Sequence, residues 1–259
     1  MVSVATWLGA VDGLAVKPAS MDLDAVAALP VDRVIVDYEG RDVFPDPATL
    51  RNLARDRTVR VTVPVRADGF DPQGDHHLAR TIPAAVDRVL VAGHPAYLSG
   101  GERRRAIGPR LVAAAAATTD PWIGTAGIER LALAVGGTQF ELLDRRTEPS
   151  VLTLRGAGVD ADIAVYAPVV PTTDDDRILN AIGGYVARRP AVRAAIPDDA
   201  TTDAGATGRV RERLLAAAED VALVGTPATI ADRIDALYAV GVDTVIAHPA
   251  AGLDTLTGA

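Results

Sequence analysis

The sequence predicts a single (β/α)8 barrel of the α/β class spanning residues 1–259, and three observations predict it. Short β-rich runs alternate with helix-like stretches along the chain, which calls for parallel strands joined by helical crossovers. Eight such runs fit in the chain, about the size of one closed barrel. The first strand-to-helix turn, "LGAVDG", lacks the G-x-G-x-x-G spacing that a doubly wound dinucleotide-binding sheet would place there.

Taken in order, the strand candidates are "VSVATWL" (2–8), "DRVIVDY" (32–38), "VRVTVPV" (59–65), "DRVLVAG" (87–93), "PWIGTA" (121–126), "TQFELL" (138–143), "DIAVYAPVV" (162–170) and "DTVIAHP" (243–249). Each is rich in β-branched or aromatic residues and bounded by Gly, Pro or Asp. Helix-like stretches lie between them at 22–30, 47–56, 76–85, 102–117, 127–136, 149–158, 174–196 and 207–220. Before the last strand, "VALVGTPATIADRIDALYAV" reads as a short strand and then a helix. Thr226 is its N-cap, Pro227 its first residue, and Ile230, Ile234 and Leu237 its apolar face.

Composition narrows the function classes. The absence of Cys excludes disulfides, thiolate metal sites and a Cys nucleophile. Formal net charge is −8, from 27 Asp and seven Glu against 25 Arg and a single lysine, Lys17. This halophile-like acidic balance suits a soluble, cytoplasmic protein and provides no basic stripe for nucleic acid. No segment resembles a signal peptide or a membrane span. The expected partners are a small-molecule substrate or cofactor, not nucleic acid or membrane, and homo-oligomerisation is compatible with the sequence.

In a barrel, chemistry gathers at the C-terminal ends of the strands. Those ends carry Trp7, Asp37 with Tyr38 and Glu39, Pro64 with Arg66 and Asp68, Gly93 with His94, Gly124 with Thr125, Asp144, Tyr166 and His248. His-Pro follows both the fourth and eighth strands. It makes a good strand exit, and it also puts a titratable ring at the mouth. Gly124-Thr125-Ala126-Gly127 ahead of Ile128 could let backbone N–H groups approach a phosphate, and the same small residues also serve close packing. A metal site would have to take His94, His248 and Asp37 together, and none is expected.

Four blocks, in order, carry a family resemblance: "VDYEGRDVFPDPATLRNLA", "PWIGTAGIERLALAVGGTQFELL", "ADIAVYAPVV" with "IGGYVARRPAVRAAI", and "LVGTPATIADRIDALYAVGVDTVIAHPAAGLD". The chain resembles the bacterial luciferase-like barrel family, closest to its deazaflavin-dependent methylenetetrahydromethanopterin reductases. The resemblance implies an oxidoreductase that uses coenzyme F-420 or FMN for hydride transfer to or from a small substrate. It also implies that Gly124, Thr125, Gly127 and Ile128 hold the cofactor phosphate, that Val63, Pro64 and Val65 back its ring, and that Gly93 lines the site. Asp37, Tyr38 and His248 would position substrate or move a proton. The departures are Tyr38 where the family has His, a Gly-x-Gly reduced to Gly93-His94, Pro64 in place of a strained non-proline cis bond, and an insertion shrunk to residues 96–111. A cis Val63-Pro64 bond would keep the third-strand bulge. The alternative is a divergent member without redox activity that binds a small anion or a partner, with Arg66 and His94 lining the pocket.

Overall fold

The computed structural model describes residues 6–65, 80–94 and 100–256. Eight parallel strands close into a barrel: β1 (Gly13–Val16), β2 (Arg33–Val36), β3 (Thr58–Pro64), β4 (Asp87–Val91), β5 (Trp122–Gly124), β6 (Thr138–Leu142), β7 (Ile163–Val170) and β9 (Thr244–Pro249). Each pairs with the next, β6 pairs with β7, and β9 closes the ring on β1. A two-residue strand, β8 (Leu223–Val224), lies outside the ring and pairs with the end of β7 at Val169 and Val170. The described helices are α1 (Leu23–Ala27), α2 (Pro47–Leu53), α3 (Gly108–Ala116), α4 (Glu129–Val135), α5 (Thr147–Gly156), α6 (Asp175–Ala187), α7 (Pro190–Arg193), α8 (Gly208–Val221) and α9 (Pro227–Ala239). None is long and apolar enough to cross a membrane.

Local chemistry explains the elements. Asp46 accepts hydrogen bonds from the N–H groups of Ala48 and Thr49 at 2.7 and 3.0 Å, with Pro47 next to it, and so starts α2. Asp174 caps α6 through the Arg177 N–H at 3.0 Å. As expected, Thr226 caps α9 through the Thr229 N–H, and Ile230, Ile234 and Leu237 are buried beneath it. The stretch expected as one helix over 174–196 is two, because Pro190 has no N–H to continue α6 and instead starts α7.

The first strand differs from the expectation. Thr6–Ala10, inside "VSVATWL", is a 3-10 turn, and the strand is Gly13–Val16. Trp7 is therefore fully buried before the N-terminal end of β1, beneath the barrel rather than at its mouth.

Strand alternation separates two layers. Leu14, Val16, Val34, Val36, Val61, Val63 and Val65 pack outward against helix residues such as Leu50, Ile230 and Ile234. Ala15, Ile35, Val89, Trp122, Phe140, Tyr166 and Ile246 face the barrel axis. An aromatic column fills that axis: Trp122 and Phe140 have centroids 5.6 Å apart, Phe140 meets Tyr166 edge-on at 6.2 Å, and Tyr166 stacks on His248 at 5.8 Å.

Candidate functional site

The top of the column is the mouth. Asp37 follows β2 and donates its backbone N–H to the Val16 carbonyl at 2.9 Å, which sets it beside Lys17 at the end of β1. The Tyr166 hydroxyl donates to Asp37 Oδ2 at 3.4 Å. His248 Nδ1 lies 3.1 Å from the Ala15 carbonyl, so Nδ1 carries the proton and Nε2 the lone pair. Four strands thus bring Lys17, Asp37, Tyr166 and His248 together.

Their electrostatics are unusual. Burial pushes the Asp37 carboxyl from 3.8 up to about 7, and Glu39 adds to this, while Lys17 and the Tyr166 hydroxyl oppose it. Burial lowers His248 to about 4, with Lys17 acting in the same direction, so the ring is neutral near pH 7. His94 is lowered by burial and then by Arg189, Arg188 and Lys17. The end of α6 overhangs this group: burial raises the Tyr185 hydroxyl, and Arg189 bonds that hydroxyl and lies 4.6 Å over the ring. The mouth is cationic around one carboxyl that titrates near neutrality, an arrangement that can bind an anion and give or take a proton.

The residues expected at the site are distributed unevenly. Asp37 and His248 face the mouth. Tyr38 points the other way: it is buried in the helix layer, its ring 5.7 Å from Phe44 and its N–H on the Thr62 hydroxyl. Val63 and Val65 also pack in the helix layer, and the Val63-Pro64 bond is trans. That leaves Pro64 as the inward-facing member of the three. A Cβ on Gly93 would lie 2.4 Å from the Ala126 carbonyl oxygen, so Gly93 permits the 124–128 turn to pack closely. Within that turn several donors are already used. The Gly127 N–H, at φ +76, donates to Glu129 Oε1 at 3.1 Å, the Thr125 hydroxyl donates to the Phe140 carbonyl, and Ile128 is buried. Arg66 and Asp68 lie outside the described residues. Among the described residues, no three His, Asp or Glu side chains are placed to hold a metal ion.

Sequence reasoning missed Lys17, Tyr185, Arg188 and Arg189. Its signal for Lys17 was available, since this is the chain's only lysine.

A model of the family described as "Family of unknown function (DUF7388)" matches residues 8–256. No curated protein matches the sequence. Among solved structures, the coenzyme F-420-dependent tetrahydromethanopterin reductase from Methanopyrus kandleri is similar with a TM-score of 0.67 and 13% identity, over 95% of this chain and 94% of that one. An F-420-dependent secondary alcohol dehydrogenase, solved with an F-420–acetone adduct, is similar with a TM-score of 0.58 and 14% identity over 95% of both chains. Apo-MsnO8 follows at 0.53 and 12% identity, over 92% of both. The fold is that of the luciferase-like barrels.

Proposed function

The chain belongs to the DUF7388 family, and we propose that its barrel mouth is the site of a luciferase-like oxidoreductase that moves a hydride between coenzyme F-420 or FMN and a small substrate. The observation that carries this reading is Asp37, held near a pKa of 7 beside Lys17 and the Tyr166 hydroxyl, at the mouth of a barrel shared with two F-420-dependent enzymes. Either cofactor is a flat ring with an anionic tail, and when bound it supplies the hydride. The residues present fit such a group by charge: Lys17, Arg188 and Arg189 make the mouth cationic. The 124–128 turn contributes little, since its Gly127 N–H and Thr125 hydroxyl are bonded internally and Glu129 would repel a phosphate.

The chain's own residues then handle the proton. Hydride transfer to a carbonyl needs a proton on oxygen, and a carboxyl titrating near 7 both gives and recovers it at neutral pH. Tyr166 orients that carboxyl, and the neutral His248 ring stacked on Tyr166 adds no charge beside it.

Because Glu129 occupies the Gly127 N–H that a cofactor phosphate would need, a second reading is a member that binds a small anion at Lys17, Arg188 and Arg189 without redox chemistry. Fluorescence titration with F-420 and with FMN separates the two. The redox reading expects micromolar binding of one cofactor, weakened about tenfold by Lys17→Met or Arg189→Met, as for one lost charged contact. Binding of neither, alongside binding of simple anions, overturns it in favour of the second.

A further inference from the structure

The proposed hydride chemistry uses Lys17 only for its charge. Every other fixed cation in the chain is an arginine, which keeps its proton, whereas a lysine amine can lose one and become a nucleophile. The backbone here is firmly held. The Lys17 carbonyl accepts from the Ser20 and Met21 N–H groups at 3.0 and 2.9 Å, Pro18 follows directly, and the Ala19 N–H donates to Glu39 Oε2 at 2.9 Å. Ala15 faces the axis, so alternation turns Lys17 inward, between Asp37 beyond β2 and His248 on β9. The side chain is half-buried, and its charge bears on Asp37, His94 and His248 together.

We infer that Lys17 forms an imine with a small carbonyl compound carrying a carboxylate, an aldehyde acid or α-keto acid, whose carboxylate is held by Arg188 and Arg189. This goes beyond the cofactor reading and stands whether or not a redox cofactor binds. In the reaction the uncharged Nζ attacks the carbonyl carbon, a C–N bond forms as the C=O π bond breaks, and one proton of the attacking nitrogen passes to the oxygen to give a carbinolamine. The C–O bond then breaks, and the oxygen leaves as water with a proton from Asp37. The nitrogen lone pair closes the C=N bond, and the proton lost from nitrogen restores Asp37. Amine and carbonyl become imine and water, with nothing oxidised or reduced. Asp37, raised to about 7, still holds a proton to give near neutrality.

The chain has one lysine amine besides its N-terminal amine, so mass spectrometry assigns an adduct without ambiguity. The full chain is incubated with glyoxylate and cyanoborohydride, which traps the imine as a carboxymethyl amine, and then peptide-mapped. The expected label sits on Lys17, forms at least about tenfold faster than in the urea-unfolded chain, slows by about tenfold in Asp37→Asn, and is weaker with uncharged acetaldehyde. Label confined to the N-terminus, or equal Lys17 labelling of folded and unfolded chain, overturns the inference. The folded-to-unfolded comparison uses the unaltered chain, so it stands even if a variant fails to fold. No F-420 or FMN is present, so failure here leaves the cofactor reading untouched.

Discussion

The two ends of the barrel handle charge in opposite ways. At the N-terminal end, charges are tied into networks. Arg60 stacks 4.5 Å over Trp122 and pairs with Asp120 at 2.7 Å and Asp87 at 3.6 Å. Arg155 joins Asp243, the Gly241 carbonyl and the Val159 and Ala161 carbonyls, while Asp243 also accepts the Ile163 N–H. Asp12 accepts from the Val245 N–H and the Tyr238 hydroxyl. At the mouth, a carboxyl is held near 7, a buried histidine near 4, and cations gather round them. One end uses its polar groups to hold strands together, and the other holds buried titratable groups shifted from their ordinary values, at some cost in stability.

The largest predicted effect lies at the closed end. Arg60→Ala removes a guanidinium packed on Trp122 and its ion pair, and should lower unfolding free energy by about 2–4 kcal/mol in urea titration without changing ligand binding at the mouth. Loss of binding with stability intact would break the division between the ends.

Gly93→Ala comes next. Its Cβ would have to displace the Ala126 carbonyl, a backbone atom, and overpacking of this kind should cost about 1–3 kcal/mol by the same titration.

Asp37→Asn should act in the other direction. Its folded pKa lies above its ordinary value of 3.8, so its penalty is absent below about 4, grows as pH rises and is complete above about 7. The variant should therefore be more stable than the parent at pH 8, by about 1–2 kcal/mol after discounting for solvent access, and no more stable at pH 3.5. His248 has the opposite sign: its contribution is complete above about 6.5 and is lost as pH falls toward 4. Thermal melts across pH 3.5–8 read both.

Lys17→Met should change stability least, within about 0.5 kcal/mol, as for a partly buried charge at the rim, while weakening anion binding at the mouth about tenfold. A large stability loss with binding retained would make Lys17 a structural residue.

Much of the barrel was legible in the sequence because its strands are β-branched runs with clear ends. The first was not. "VSVATWL" has the better strand composition, whereas the real strand, "GLAV", is four residues long and begins at Gly13, where a Cβ would lie 2.6 Å from the Arg33 carbonyl oxygen. That close strand approach selects a glycine, which composition counts against a strand. The misplacement put Trp7 at the mouth and hid Lys17, which only the true strand end carries there. Alternation, had it been followed along the second strand, would have separated Tyr38 from Asp37, since neighbouring residues face opposite layers. Arg188, Arg189 and Tyr185 reach the mouth through tertiary packing of α6, which no local pattern records.

Proton exchange at the mouth depends on Asp37 titrating near neutral pH. Carbon-detected NMR titration of the side-chain carboxyls, with Asp37 assigned from the Asp37→Asn spectrum, tests this directly. A midpoint near 7, rising when Tyr166→Phe removes the hydroxyl that opposes the shift, is the predicted result, whereas a midpoint in the ordinary carboxylate range near 4 would contradict it.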